Sequence, residues 1–385
     1  MYELIYFGIT YALVFTGYYV TTGFLNIIFP KTAFIGFAIF YAVAGISCLV
    51  APYIIEKLPL KVTLFITILL YLIFIGAVSS FNSIFMITAY AFCGIGSSGI
   101  WLIQGIWTSA FKTNNNNSIG IFYAIFSINM ILGNVTSLVI LITGVNLQIM
   151  IWCMIGISGT GLILCLFIPK TPLEIPKMQK PLFRHVLDVL LVAKNNFALI
   201  FPIFAQSLGL NVSFQILSRM MLNTIGPVDV YNSAMFLAYG TSYALVSLVT
   251  GKLFNKNWKF VLYPYLLLEL LSLASILILS KYNKLSGYWI ILGFVRGITD
   301  NAINNVCNIS FGKNIPADLS FAFYRFIYSF SYILGSLIVG YTPYEYVLLI
   351  AAIIAILGTI SFHFHVFPEI TLTIEQQFDT NFVVL

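Results

Sequence analysis

Charged residues are scarce in this sequence. Asp, Glu, Lys and Arg together make up 8% of its 385 residues, and hydrophobic residues make up 60%. A soluble domain averages about 25% charged residues because its surface must be hydrated, so the composition excludes a soluble globular fold. Apolar runs of roughly 20 residues recur along the chain, the length that a helix needs to cross the hydrocarbon core of a bilayer. These runs are continuous rather than alternating, which excludes a transmembrane barrel and predicts an all-α integral membrane protein.

The sequence also lacks the short motifs of common enzyme and cofactor sites. It has no P-loop, HExxH or nucleophile-elbow sequence. Gly94, Gly96 and Gly99 have the spacing of a phosphate cradle, but they lie inside an apolar run, where small residues permit close helix packing. We therefore expect no enzymatic activity, cofactor or metal, and we attribute the net charge of +6 to the loops rather than to nucleic-acid binding. The cysteines lie inside apolar runs and are predicted to be buried free thiols: Cys48, Cys93, Cys153, Cys165 and Cys307.

Polar residues divide the chain into about twelve predicted spans and suggest two six-helix halves. We expect the amino-terminal half over residues 1–169 and the carboxy-terminal half over 196–367. A linker over 170–195 is predicted to contain a short amphipathic helix on the membrane surface, and residues 368–385 form the predicted tail. The predicted spans are 3–28, 32–54, 61–80, 83–110, 118–142, 148–168, 196–221, 229–253, 259–280, 286–311, 318–341 and 343–366.

The positions of the basic residues predict the orientation of these spans. If both termini are cytoplasmic, the inner loops hold twelve of the 18 Lys and Arg residues and the outer loops hold three. Short cytoplasmic loops are enriched in Lys and Arg, so this bias predicts cytoplasmic termini. It also supports the count of twelve spans, because a missed span would scramble the bias. No sorting motif indicates which cellular membrane contains the protein.

Four ionisable residues lie within predicted spans, all in the second half: Glu269, Arg296, Asp300 and Arg325. An ionisable group at membrane depth costs several kcal/mol unless it faces a partner or a cavity. The first half has no such charge and offers only amides, such as Gln104, at the corresponding depth. The second half is therefore predicted to contain most of a substrate or coupling-ion pathway.

Polar side chains recur every three or four residues along three predicted spans, so each set lies on one helix face. Such faces point away from lipid, and we expect them to line the seam between the halves. The sets are Ser97, Trp101, Gln104 and Thr108 in span four; Asn211, Gln215 and Arg219 in span seven; and Arg296, Asp300, Asn304 and Asn308 in span ten.

The deep charges allow three interpretations. Asp300, with or without Glu269, is the coupling carboxylate of a proton-driven transporter, while Arg325 or Arg296 holds an anionic substrate. Alternatively, Arg296 and Asp300 lie one turn apart and neutralise each other in a purely structural pair. In the third interpretation, Arg325 bridges spans ten and eleven through Asp300.

Twelve spans in two halves resemble the plan of the major facilitator superfamily. The segment after span eight, Gly251-Lys252-Leu253-Phe254-Asn255-Lys256, is similar to that superfamily's Gly-x-Leu-x-Asp-Arg-x-x-Arg loop motif, with Asn255 replacing the acidic residue. This resemblance implies that Gly251, Lys252, Asn255 and Lys256 form a conformational loop.

Three further stretches resemble the uncoordinated-93 family within that superfamily. They are Gly94-Ile95-Gly96 with Trp101, Gln104-Gly105 and Thr108; Asn117 and Gly120-Ile121-Phe122 with Gly133-Asn134; and Gly297-Ile298-Thr299-Asp300 with Asn304-Asn305 and Ala322-Phe323-Tyr324. Members of that family include channel subunits and receptor-trafficking chaperones, and others are presumed transporters. The resemblance therefore leaves two hypotheses: a secondary transporter of a small solute, with or without proton coupling, and an accessory protein of a membrane channel or receptor.

Overall fold

The computed structural model describes residues 2–29, 32–110, 118–168, 182–222, 227–282, 286–312 and 317–364. Within these ranges the chain forms twelve long helices, which confirms the predicted fold class, and a linker helix, Leu182–Asn195. The first part of the predicted linker, 170–181, and the predicted tail, 368–385, lie outside the described residues. The long helices are α1 (Tyr2–Ile28), α2 (Ala33–Lys57), α3 (Leu60–Ser79), α4 (Ser83–Ala110), α5 (Ser118–Ile142), α6 (Leu147–Leu166), α7 (Phe197–Met221), α8 (Val228–Lys256), α9 (Lys259–Tyr282), α10 (Ser286–Gly312), α11 (Ala317–Tyr341) and α12 (Tyr344–Phe364).

Helix α10 differs from the other long helices in its hydropathy. Eleven helices of the described chain are long and apolar enough to cross a membrane by themselves, and α10 is the long helix missing from that set. With 27 residues it is long enough, but its arginine, aspartate and asparagines lower its hydropathy. Arg296, Asp300, Asn304 and Asn308 are all buried, so α10 hides its polar face inside the bundle and does not present it to lipid.

Each half packs mainly on itself, and two helix pairs form most of the seam between the halves. Helix α2 packs along α11, and α5 packs along α8. At one end of the bundle the linker helix contacts both α2 and α11. We call this the linker end. Helices of both halves therefore border a central space at the seam.

Glycines allow the closest helix contacts. A Cβ on Gly293 of α10 would lie 2.7 Å from the Met235 carbonyl oxygen of α8, and one on Gly297 would overlap the Tyr239 carbonyl oxygen one turn further on. In the first half, a Cβ on Gly94 would lie 2.5 Å from the Phe40 carbonyl oxygen of α2. Small residues at four-residue spacing let transmembrane helices approach closely, and here they fix how α10 is placed against α8.

Large apolar side chains cover the outer surface. Ile66, Leu69 and Ile73 on α3, for example, are all exposed, as expected for a surface solvated by lipid. Four of the five cysteines are buried as predicted, whereas Cys153 is exposed on α6, because its helix position faces outward rather than into the bundle. On the linker helix, Phe183 and other apolar side chains are exposed while the helix packs on the bundle, an arrangement suited to the membrane interface.

Candidate functional site

Three charged side chains form a buried cluster inside the second half. Arg296 Nη1 lies 2.5 Å from Glu269 Oε2 of α9, and Arg296 Nη2 lies 2.7 Å from Asp300 Oδ1, one turn along α10. The residues are 0%, 2% and 2% exposed, respectively. We call Glu269, Arg296 and Asp300 the charge cluster. Arg296 and Asp300 therefore form the ion pair that their spacing allows, but Glu269 adds a second carboxylate to the same arginine.

Helix α7 supplies further hydrogen bonds to the charge cluster. Arg296 Nε donates to Ser213 Oγ at 2.9 Å, and Ser213 Oγ donates in turn to Asp300 Oδ2 at 2.6 Å. Arg296 Nη2 also donates to the Gly209 carbonyl oxygen at 2.7 Å. Together with a 3.3 Å contact between Nη1 and Ser272 Oγ, every nitrogen of the guanidinium has a partner, as a buried arginine requires.

A π-helical turn in α7 places these partners. Residues Val212–Ile216 are π-helical, and the Leu217 amide donates to the Val212 carbonyl oxygen five residues back. π-Turns occur mostly as single turns inside α-helices and are frequent at functional sites. This turn contains Ser213. One turn earlier, Gly209 leaves room for the cluster, because a Cβ there would lie 2.8 Å from Asp300 Oδ1 and 3.0 Å from Arg296 Nη2.

The charges of the cluster do not balance. One guanidinium faces two carboxylates, so the cluster has a net charge of −1 when both carboxylates are ionised. A net charge without solvent is costly in the low-dielectric interior. Binding a single proton removes it.

A cavity of about 100 Å³ lies between the two halves. Aromatic side chains make up most of its wall, and Arg325 is the charged residue among the described residues that line it. Drug-sized ligand sites span about 300–1,000 Å³, so in this conformation the cavity suits a small solute. Its polar lining residues include Thr22, Ser97, Ser127, Asn129, Gln206, Asn304 and Ser329.

Tyr239 of α8 connects the charge cluster with the cavity. Its ring lines the cavity, and its hydroxyl donates to Asp300 Oδ2 at 3.1 Å. Asp300 itself is not a lining residue, so this hydroxyl is a direct polar link between a cluster carboxylate and the solute space. The geometry permits events in the cavity to alter the hydrogen bonding of Asp300.

Arg325 of α11 is held by aromatic rings rather than by a carboxylate. Its Cζ lies 4.7 Å from the ring centroid of Trp101 and 4.8 Å from that of Tyr324. Arg325 Nη2 lies 3.5 Å from Gln104 Oε1, and Nε has no hydrogen-bond partner. The partners of Asp300 are Arg296, Ser213 and Tyr239, so the bridge from Arg325 to Asp300 that the sequence left open does not form.

A chain of amides extends the polar region beside Arg325. Gln206 Nε2 donates to Asn304 Oδ1 at 2.8 Å, and Asn308 Nδ2 donates to the same oxygen at 3.0 Å. Gln206 Oε1 accepts from the Tyr324 hydroxyl at 2.8 Å. Asn304 therefore has its carbonyl oxygen fully engaged, while its Nδ2 has no partner.

The other polar residues singled out in the sequence lie elsewhere. Asn211 and Gln215 of α7 hydrogen-bond to each other and to Ser336 of α11, at 2.9 Å from Gln215 Nε2 and 3.0 Å to Asn211 Oδ1. This group is not part of the cavity lining. Of the predicted pathway residues, Trp101, Asn304 and Arg325 line the cavity, Gln104 contacts Arg325, and Glu269, Arg296 and Asp300 form the charge cluster behind Tyr239.

The predicted conformational loop lies at the end of α8. Gly251 is buried, Lys252 and Lys256 are exposed, and the helix continues through Lys256 before the short connection to α9. The backbone of Asn255 is therefore helical. In this connection, Asn257 Oδ1 accepts a hydrogen bond from the Lys259 amide at 3.0 Å.

Several site residues were not identified from the sequence. Ser213, Gly209 and Tyr239 contact the charge cluster, and Gln206 and Tyr324 orient Asn304. Serine, glycine and tyrosine are common in membrane helices and do not by themselves indicate a site. Only Gln206, an amide at membrane depth, could have been identified from its residue type.

The fold is that of the major facilitator superfamily. The structure matches that of a variant of the nucleoside transporter NupG with a TM-score of 0.67 and 16% identity, covering 94% of this chain and 98% of that one. It also matches a variant of the E. coli fucose:proton symporter FucP with a TM-score of 0.66 and 13% identity, covering 94% and 97% of the two chains. At these identities the likeness concerns the fold.

The chain belongs to the UNC-93 family. The family model described as "Ion channel regulatory protein UNC-93" matches residues 26–279. The sequence resemblance is thereby confirmed. A comparison with curated protein sequences finds no match.

Proposed function

We propose that this protein is a secondary transporter that moves a small solute through the central cavity by alternating access, with a proton at the charge cluster as the coupling ion. The observation that supports this most directly is a central cavity lined by both halves and linked by one hydroxyl to a buried cluster of unbalanced charge. No enzymatic step belongs to the proposal.

The seam between the halves suits alternating access. Far from the linker end, Asn26 Nδ2 of α1 donates to the Phe214 carbonyl oxygen of α7 at 3.0 Å. Asn232 Nδ2 of α8 donates to the Gly23 carbonyl oxygen at 3.1 Å. These two cross-half hydrogen bonds are weak enough individually, at about 1 kcal/mol each, to break and re-form. The proposed moving units are residues 1–169 and 196–367.

Proton coupling follows from the charge balance. Protonation of one carboxylate makes the cluster neutral and changes whether Asp300 can accept from both Ser213 and Tyr239. Because the Tyr239 ring lines the cavity, a bound solute can favour one arrangement of this hydrogen bond. Solute and proton occupancy are then thermodynamically linked.

The proposed orientation places both termini and the linker end in the cytoplasm. The distribution of lysine and arginine over the loops supports it. The exposed Lys252 and Lys256 at the end of α8 would then face the cytoplasm.

Proton flux in liposomes tests the coupling. Purified protein is reconstituted around the pH indicator pyranine, and benzoate, L-fucose and uridine are added outside in turn. Because benzoic acid crosses a bilayer unaided, rates are compared with those of protein-free liposomes, and we expect at least one solute to acidify the lumen faster with wild-type protein. Asp300→Asn should abolish that acidification, and Tyr239→Phe, which keeps the ring but not the hydroxyl, should reduce it.

The matched control is Ser336→Ala, which removes a buried hydroxyl from the separate Asn211–Gln215 group. It should acidify as fast as the wild type. Full proton coupling in a correctly folded Asp300→Asn variant would refute the role of the cluster. If none of the solutes acidifies the lumen, the result counts against coupled transport itself.

The family match supports a second candidate, an accessory protein that regulates or escorts a membrane channel or receptor. Its basis is the description of the family model. Purification from native membranes in mild detergent separates the two candidates. A channel or receptor recovered in one-to-one ratio, together with no flux in liposomes, would favour the accessory role.

A further inference from the structure

The two buried arginines differ in how the protein satisfies them. Each nitrogen of Arg296 has a hydrogen-bond partner, and two carboxylates lie within 2.7 Å. Arg325 is 8% exposed, yet within the described part of the chain it forms no salt bridge and its Nε has no hydrogen-bond partner. Rings of Trp101 and Tyr324 lie beside its guanidinium, but they provide only part of the stabilisation that a counter-ion provides. Arg325 therefore lacks a counter-ion among the described residues, and an anionic ligand would supply one.

A second unpaired donor opens on the same cavity. Asn304 Oδ1 already accepts from Gln206 and Asn308, so its amide is held in one orientation and Nδ2 has no partner. Arg325 and Asn304 belong to neighbouring helices, α11 and α10, and both line the cavity. The Tyr123 hydroxyl lies near both side chains, but Arg325 Nε and Asn304 Nδ2 have no hydrogen-bond partner. Two such donors suit a ligand group that only accepts, such as a carboxylate.

The remainder of the cavity wall is mainly aromatic, with hydroxyls and amides between the rings, and it is suited to a ligand with a largely apolar body. Phe15, Phe126 and Phe214 are among the rings that form its wall, and Phe15 packs against Trp101 with ring centroids 4.9 Å apart. The volume of about 100 Å³ leaves no room for a long chain. A strongly hydrated multivalent anion is also disfavoured, because one arginine neutralises one negative charge.

We propose that the substrate is a small organic monocarboxylate, with its carboxylate on Arg325 and Asn304 and its apolar part against the aromatic wall of the cavity. This inference rests on the proposed transport function and specifies its substrate class. It also completes the charge balance, since the carboxylate neutralises Arg325 while the co-transported proton neutralises the charge cluster. Among the described residues, the buried charges of Arg325 and of the charge cluster are then both neutralised.

Benzoate and benzamide provide a matched pair of probes, since they share a ring and differ in charge. Binding to purified protein is followed by tryptophan fluorescence, to which Trp101 beside Arg325 contributes. We expect wild-type protein to bind benzoate and to discriminate against benzamide by about 100-fold. Arg325→Gln should lose benzoate affinity by a similar factor, Arg325→Lys should lose about 10-fold because it keeps the charge but not the planar fork, and Asn304→Ala should weaken binding less.

The thermal stability of the ligand-free variants provides the folding control. Arg325→Gln removes an uncompensated buried charge, so it should unfold at or above the wild-type temperature, whereas Arg296→Gln should unfold at a lower one. If Arg325 belongs to a ligand site, Arg325→Gln should gain stability and lose benzoate binding. A loss of stability as large as that of Arg296→Gln would show that Arg325 serves the fold instead.

Uptake of radiolabelled benzoate into liposomes, measured as the excess over protein-free liposomes, separates this inference from the transport function. If the protein binds benzoate but none of the tested solutes is taken up, the anion site is supported and transport is refuted. Acidification driven equally by L-fucose, uridine or benzamide and unaffected by Arg325→Gln would support transport and refute the anion site. Wild-type protein that binds neither benzoate nor benzamide would also overturn the inference.

Discussion

Neutralising the members of the charge cluster one at a time tests whether charge balance, rather than packing, holds it together. Glu269→Gln leaves Arg296 opposite Asp300 in a neutral pair, and the new amide oxygen can still accept from Arg296 Nη1. The hydrogen bond is weakened but not lost, so we expect a cost of about 1 kcal/mol.

Asp300→Asn should cost more, because both carboxylate oxygens accept hydrogen bonds. Oδ1 accepts from Arg296 Nη2, and Oδ2 accepts from the Ser213 and Tyr239 hydroxyls. An asparagine NH₂ group in place of Oδ1 faces the Arg296 Nη2 donor, and one in place of Oδ2 deprives the Ser213 and Tyr239 hydroxyls of their shared acceptor. Leaving such groups unsatisfied costs about 1–3 kcal/mol.

Breaking the charge balance should cost most. Arg296→Met leaves two buried carboxylates without a cation, and the double variant Glu269→Gln/Asp300→Asn leaves a fully buried guanidinium without an anion. Removing one side of a buried ion pair costs about 3–5 kcal/mol. We therefore expect the double variant to cost about 5 kcal/mol or more of unfolding free energy. That loss exceeds the lowest sum of the losses expected for the two single variants.

Thermal unfolding in detergent measures this order. A thiol-reactive fluorophore reports unfolding because Cys48, Cys93, Cys165 and Cys307 are buried, and Cys153→Ser removes the exposed background. For a chain of this size each kcal/mol shifts the midpoint by about 2 °C. Wild-type stability in Arg296→Met, or a double variant no worse than Asp300→Asn alone, would refute the reasoning.

Two further predictions follow from contacts of the described residues. Gly209→Ala should destabilise the protein by about 1–3 kcal/mol, because its Cβ would lie 2.8 Å from Asp300 Oδ1. The control Gly159→Ala, whose Cβ meets nothing within 4 Å, should be neutral or slightly stabilising in the same unfolding assay. Asn232→Ala removes a cross-half hydrogen bond, so the cavity-lining Cys48 should react about 5-fold faster with a small water-soluble methanethiosulfonate. An unchanged rate would show that this bond does not restrict access.

The positions of the spans could be predicted from the sequence to within a few residues, because the bilayer imposes its own length and polarity on each segment. A run such as 61–80 meets those requirements through its own composition. Helix α10, correctly predicted as span 286–311, meets these requirements less well. Its hydropathy alone does not qualify it as a span, and it crosses the bundle because neighbouring helices surround its polar face.

The sequence also determined that the deep charges need partners, but not which partners they have. Helical periodicity placed Arg296 and Asp300 on one face, whereas Glu269 lies 27 positions away on another helix. Equally, nothing in the sequence distinguished Arg325, which pairs with no carboxylate of the described residues, from Arg296, which pairs with two.

Only the tertiary structure decided these pairings. Periodicity defines the faces of a single helix, but the rotation of that helix and the identity of its neighbours depend on contacts such as those of Gly293 and Gly297 with α8. Hydration and hydrophobicity act on each segment locally and can be read along the chain. A buried charge instead responds to groups within a few ångströms, and those groups come together only when separate helices pack.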